Sequence, residues 1–257
     1  MSDQTQSQTL LKGKLALVTG GSRGIGAAIS RKLAASGATV LVNFAKSEKA
    51  ASEVVAAIKE AGGAAHAIGG DVADPAQVKR MFETIDRQHG GKVDIVVNNA
   101  GVFLSGPLTD FSDADFEKTI AVNVRAVFLV AREAAKRMGQ GGRVITIGSN
   151  LGERAIGAGM SVYTASKFAV AGLARGWAHD LAPRGITSNL VQPGPIDTDM
   201  NPADATVNPM AESMRQLVPA KRYGTGDEVA SVVAYLASPA AQFVNGATIN
   251  VDGGMNA

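Results

Sequence analysis

The sequence contains no cysteine, which excludes disulfide bonds, thiolate catalysis and cysteine-based metal sites. Its three histidines, His66, His89 and His179, are far apart in the chain and share no ligand spacing. Each reads as structural, and no metal site is expected. Aromatic residues make up only 5% of the chain, which argues against an aromatic-rich binding surface. The formal net charge is just +2 and the basic residues are scattered, so nothing resembles a nucleic-acid stripe or a polybasic membrane patch. No apolar run approaches the ~20 residues needed to span a bilayer. Residues 1–11 read as a flexible polar tail without the charged start and apolar run of a signal peptide. The expectation is a soluble cytoplasmic protein with no nucleic-acid and no membrane partner.

What is present is a chain of 257 residues, 46% hydrophobic and rich in glycine and alanine. Short apolar runs that stop at glycine alternate with amphipathic stretches. Strands are expected at Lys14–Thr19, Ala38–Asn43, Ala64–Gly69, Val93–Val97, Arg143–Gly148, Ile186–Gln192 and Ala247–Val251. Helices fall between them, including one from Ser112 or Asp113 to Met138 and one over Ser161–Leu181. Asp74-Pro75 has the order of a helix cap followed by a first-turn proline. Strands apolar on both faces and alternating with helices predict an α/β fold: a doubly wound, Rossmann-type parallel sheet of about seven strands, covered on both faces. Residues 12–257 read as one domain. Residues 195–225, with Pro202, Pro209 and Pro219, read as an irregular loop.

Gly20-Gly21-Ser22-Arg23-Gly24-Ile25-Gly26 joins the first strand to the first helix. Glycines there let the backbone turn tightly and approach a pyrophosphate at the helix N-terminus. The spacing departs from the common G-x-G-x-x-G fingerprint. Farther on, Tyr163 and Lys167 lie one helical turn apart on one face. A phenol is a poor acid or base at neutral pH, but a neighbouring ammonium favours the phenolate and would lower its pKa. The pair is a candidate proton donor and acceptor.

Thr19-Gly20-x-x-x-Gly24-Ile25-Gly26, Asn98-Asn99-Ala100-Gly101, Ser149, Tyr163-x-x-x-Lys167 and Pro193-Gly194 occur in one order. Together they resemble the short-chain dehydrogenase/reductase family, including its carbonyl and 3-oxoacyl-[acyl-carrier-protein] reductases, over about residues 12–257. The resemblance implies hydride transfer between a nicotinamide and a carbonyl or secondary alcohol. Ser149, Tyr163, Lys167 and Asn123 are then the catalytic set. Tyr163 exchanges the proton, Ser149 donates to the substrate oxygen and Lys167 binds the nicotinamide ribose. Asn123 interrupts its helix and holds a water beside the lysine. Asn150 occupies the alternative register to Ser149 and is chemically less apt.

The same resemblance places Gly20, Ser22, Arg23, Gly24, Ile25 and Gly26 at the cofactor phosphates, and Asp71 and Val72 at the adenine. Asn98, Ala100 and Gly101 would border the ribose; a structural reading of Asn98-Asn99 is side-chain bonding that holds neighbouring strands. Pro193, Gly194, Ile196 and Thr198 complete the cofactor set with Tyr163 and Lys167. NAD-selective folds place an acid at the end of the second strand. Here that segment reads Asn43-Phe44-Ala45-Lys46-Ser47. The missing acid, with Arg23, Lys46, Ser47 and Asn43 nearby, predicts NADP(H) over NAD(H).

The substrate is expected between Leu151–Met160, Pro193–Thr198 and the 195–225 segment acting as a lid. Met200, Met210, Met214, Leu217 and Val218 would give an adaptable apolar lining. Glu153 and Arg154 would meet a polar substrate or solvent. Lys136, Arg137 and Arg184 could serve an acyl carrier protein or simply complement helix ends. A ketone, β-ketoester or 3-oxoacyl reductase is the main expectation. The alternatives are a sugar or polyol dehydrogenase and a non-catalytic nucleotide sensor. The resemblance also implies a homotetramer.

Overall fold

The computed structural model describes residues 10–257. Most of the expected tail, residues 1–9, lies outside them. Leu11, expected in that tail, is instead buried, and its N–H donates to Ser36 O at 2.9 Å. Burying a leucine side chain stabilises by about 1.5–3 kcal/mol, enough to draw the chain onto the core before residue 12.

Seven parallel strands form one sheet in the order β3-β2-β1-β4-β5-β6-β7. They are β1 Leu15–Val18, β2 Thr39–Phe44, β3 Ala64–Gly69, β4 Ile95–Asn98, β5 Arg143–Ile147, β6 Thr187–Pro193 and β7 Thr248–Val251. On one face pack α1 (Gly24–Ala35), α2 (Glu48–Glu60) and α8 (Gly226–Ala237). On the other pack α3 (Pro75–Gln88), α5 (Ala126–Arg137) and α6 (Ser161–Leu181). The central strands β1, β4, β5 and β6 are buried on both faces because helices cover both, although β6 carries Thr187, Ser188, Asn189 and Gln192 within that burial. The edge strands β3 and β7 break that expectation and are partly exposed, since each has a neighbour on one side only. Strand order reverses between β1 and β4, so the loops at their C-terminal ends splay apart and open a cleft.

Two segments differ from the sequence expectation. The long helix at 113–138 is three pieces: α4 (Asp113–Ile120), a π-helical segment Ala121–Arg125, and α5. The 195–225 loop contains a short helix, α7 (Ala211–Leu217). The histidines do not all stand apart either. His66 on β3 and His89 at the end of α3 have ring centres 5.1 Å apart, because the chain between them folds back along the sheet edge. Among the described residues no helix is long and apolar enough to cross a membrane, and no three His, Cys, Asp or Glu cluster as metal ligands.

Candidate active site

The β1–α1 turn is shaped as a phosphate cradle. Gly24 has a φ of +51°, and a Cβ on Gly26 would come within 2.2 Å of Gly20 O and 2.5 Å of Asn99 Nδ2. Neither position admits a side chain without moving the loop. The helix that follows starts at Arg23 with no side-chain cap and no acid in its first turn. Its N-terminal N–H groups therefore suit an anion.

Asn43, expected to touch the cofactor, is buried beneath this turn instead. Its Oδ1 accepts from Gly20 N at 3.3 Å, and its Nδ2 donates to Ile68 O and Gly70 O at 3.2 and 3.0 Å. An amide so engaged holds the loop against β3. Arg23, Lys46 and Ser47 are exposed at the same end of the sheet. Ser22 and Ile25 are half-buried beside the turn.

At the end of β4 the two asparagines divide. Asn99 Nδ2 donates to Thr19 O at 2.9 Å and Gly20 O at 3.2 Å, while Thr19 Oγ1 accepts from the N–H groups of Asn99 and Ala100 at 2.9 and 3.0 Å. Thr19 and Asn99 thus tie β1 to β4, the strand-holding role expected of the pair. Asn98 is buried, and both its amide atoms lack a partner among the described residues. Asp71 Oδ1 accepts from Ala73 N at 2.9 Å, and Val72 is buried.

Ser149, Tyr163 and Lys167 converge. Ser149 ends β5 and caps the turn Asn150–Gly152, its Oγ accepting from Leu151 N at 3.2 Å. Its hydroxyl also donates to Asn150 Oδ1 at 3.3 Å, and Ser149 stands close enough to the Tyr163 phenol to pull its pKa down. Asn150 turns its Nδ2 to Met255 Sδ at 3.1 Å, and of the two residues Ser149 is the one that acts on the Tyr163 phenol. Lys167 Nζ donates to Ile147 O at 3.2 Å and lies 5.6 Å from the Tyr163 ring centre. Phe103 meets that ring edge-on at 4.9 Å.

The expected lowering of the Tyr163 pKa does not occur in this site. Burial pushes the phenol up to about 12, against a smaller downward pull from Ser149. Burial also pushes Lys167 down to about 8. Desolvation is the leading cause of both shifts.

Asn123 sits within the π-helical segment, where the expected helix interruption falls. Its Oδ1 accepts from Val102 N at 2.9 Å, and its Nδ2 donates to Val102 O at 2.9 Å and Ser166 Oγ at 3.1 Å. Ser166 in turn donates to Tyr163 O at 2.6 Å. Asn123 therefore braces the helix of Tyr163. A Cβ on Gly101 would lie 3.4 Å from Asn123 Oδ1 and 3.8 Å from Lys167 Nζ, which places Gly101 beside both.

Pro193 ends β6, and a Cβ on Gly194 would meet Asp252 at 2.7 Å. Ile196 is buried, and Thr198 lies against Gly24, so this turn closes on the phosphate cradle. In the 195–225 segment, Met200, Met210 and Leu217 are exposed, Met214 is half-buried and Val218 is buried. Glu153 and Arg154 bind the C-terminal segment instead of facing the cleft. Glu153 accepts from Asn250 and Asn256 at 3.1 Å each, and Arg154 Nε donates to Asn256 Oδ1 at 3.1 Å. The basic residues considered for a carrier protein are also engaged. Arg137 pairs with Asp86, Lys136 with Glu133, and Arg184 donates to Ala135 O and Met138 O.

A family model described as Enoyl-(Acyl carrier protein) reductase matches residues 20–256. The Cyclic-di-GMP-binding biofilm dispersal mediator protein of Escherichia coli K12 is 43% identical over 245 residues, covering 95% of this chain and 98% of that protein. The 3-oxoacyl-[acyl-carrier-protein] reductase of a Synechocystis strain is 41% identical over 251 residues, covering 96% and 98%. A short chain dehydrogenase from Burkholderia cenocepacia J2315, solved in complex with NADP, superposes with a TM-score of 0.93 at 47% identity, covering 97% of this chain and all of that one.

Proposed function

The chain belongs to the short-chain dehydrogenase/reductase family of oxidoreductases, and from that membership we propose an NADP(H)-dependent reductase of ketones, β-ketoesters or 3-oxoacyl groups. The observation that carries the reading is the convergence of Ser149 and Lys167 on the Tyr163 phenol, at the end of the cleft beside the glycine turn.

The residues present fit the cofactor. The Gly24–Gly26 cradle, the uncapped α1 N-terminus and the unpartnered Asn98 amide suit a pyrophosphate and ribose. No acid stands at the end of β2 to repel a 2′-phosphate, and Arg23, Lys46 and the uncapped Ser47 hydroxyl supply donors there. When bound, the nicotinamide would supply hydride to the substrate carbon. Tyr163 gives its proton to the carbonyl oxygen as charge develops there. Ser149 donates a hydrogen bond to the same oxygen. Lys167 adds positive charge beneath the phenol and reaches the ribose hydroxyls. Asn123, through Ser166, keeps the Tyr163 backbone in place.

A phenol raised to about 12 holds its proton at neutral pH, the form that donates to a carbonyl oxygen in reduction. Residues 195–225 act as the lid, and the exposed Met200, Met210 and Leu217 suit an apolar substrate. Exposed Phe116, Phe128 and Phe168 on α4, α5 and α6 support burial between copies in a homotetramer.

A second reading, a nucleotide sensor, draws support from the Escherichia coli relative. Following NADPH absorbance with ketones, β-ketoesters, acyl thioesters and sugars separates the readings. Turnover of a ketone, β-ketoester or acyl thioester is expected. Tight cofactor binding with no turnover on any compound would favour the sensor.

A further inference from the structure

At the edge of the sheet, β3 and the C-terminal ends of α2 and α3 enclose an open groove of about 500 Å³. Val55 and Lys59 line it from α2, His66 from β3, and Thr84, Gln88 and His89 from α3 and its end. The groove belongs to the edge strand, whereas the catalytic groups sit on β5 and α6, with three strands between β3 and β5. The two imidazoles have ring centres 5.1 Å apart and planes inclined at 58°, an arrangement unlike parallel stacking.

Two imidazoles bound to one tetrahedral ion, each with a metal–nitrogen distance of about 2.0–2.1 Å, place their ring centres about 5 Å apart. The observed separation matches. In a chain without cysteine, imidazole is the ligand best suited to zinc and its neighbours. α2 and α3 both point their C-terminal ends at the groove, and the partial negative charge there favours a cation. Lys59 opposes it, but its side chain is exposed and its charge is screened by solvent.

We infer that this groove is a surface site for a divalent transition-metal ion of the zinc class, held by His66 and His89 with water completing the coordination. An ion there would clip the exposed edge strand β3 to the end of α3, and its binding would add to stability by mass action. Hydride transfer would be indifferent to it.

Isothermal titration calorimetry of the metal-stripped full chain with ZnCl₂ tests the site. One saturable ion per chain is expected. His66→Gln and His89→Gln should each weaken binding at least ~10-fold, the least that loss of a mere outer-shell partner costs. His179→Gln, which changes the third histidine of the sequence, should bind as the parent does. Zinc should also raise the melting temperature of the parent and of His179→Gln, but not of the other two variants. No saturable binding, or binding and a thermal shift that survive both substitutions in the pair, would overturn the assignment.

Discussion

Lys167 lies over the face of Tyr163, its ammonium 5.6 Å from the ring centre, and burial drives their proton affinities in opposite directions. The lysine falls to about 8 and the phenol rises to about 12. Below pH 8 both groups hold their protons. As pH rises through about 8 Lys167 loses its charge first, while Tyr163 stays protonated until about 12. The kcat/KM for NADPH-dependent reduction should therefore be level below pH 8 and fall above it. In Lys167→Arg, whose charge persists, any residual activity should lack that fall. A rate that climbs steadily from pH 7 to pH 10 in the parent would contradict this assignment.

Ser149 and Asn150 are adjacent and both buried, but Ser149 is the one that lowers the proton affinity of Tyr163. Ser149→Ala should lower kcat by about 10²–10³-fold, the range for losing one donor to a developing oxyanion. Asn150→Ala should be mild, because it removes a support of the serine rather than the donor. Steady-state kinetics on the two variants decide the register, and the reverse ranking would move the catalytic role to Asn150.

The C-terminal segment fastens the turn that carries Ser149. Asn256 Nδ2 donates to Asn150 O at 2.6 Å and to Glu153 at 3.1 Å. Asn256→Ala should raise KM for the carbonyl substrate severalfold and leave NADPH affinity unchanged, since none of these bonds reaches the glycine turn. Fluorescence titration of NADPH beside steady-state kinetics measures both. A parental KM would show that the turn needs no such fastening.

The cofactor preference rests on charge at the ends of β1 and β2. Replacing both Arg23 and Lys46 with Ala should weaken NADPH binding by about tenfold or more, the scale of a lost charge-assisted hydrogen bond, with little effect on NADH. Equal losses for both cofactors would mean that these residues do not read the 2′-phosphate.

The sheet and its helices were legible because short apolar runs ending in glycine mark buried parallel strands. The motif residues followed from their order along the chain. What escaped were contacts made by the fold alone. Nothing local separates Asn98 from Asn99, yet one is unpartnered and the other joins β1 to β4. The engagement of Asn43 beneath the glycine turn depends on β3 lying beside β2. Glu153 and Arg154 meet the C-terminus across about a hundred residues of sequence. Spacing reports an ammonium's nearness to Tyr163 but not the burial that raises the phenol's pKa. The His66–His89 pair was hidden for the same reason, since it forms only at the sheet edge.

The most direct test is Tyr163→Phe, assayed for ketone reduction and for NADPH binding by fluorescence titration. The change removes one hydroxyl and keeps the ring that packs against Phe103 and Lys167. The account predicts that turnover is abolished while the NADPH dissociation constant stays within about twofold of the parent, a difference under ~0.5 kcal/mol. Turnover near the parental rate in Tyr163→Phe would contradict it.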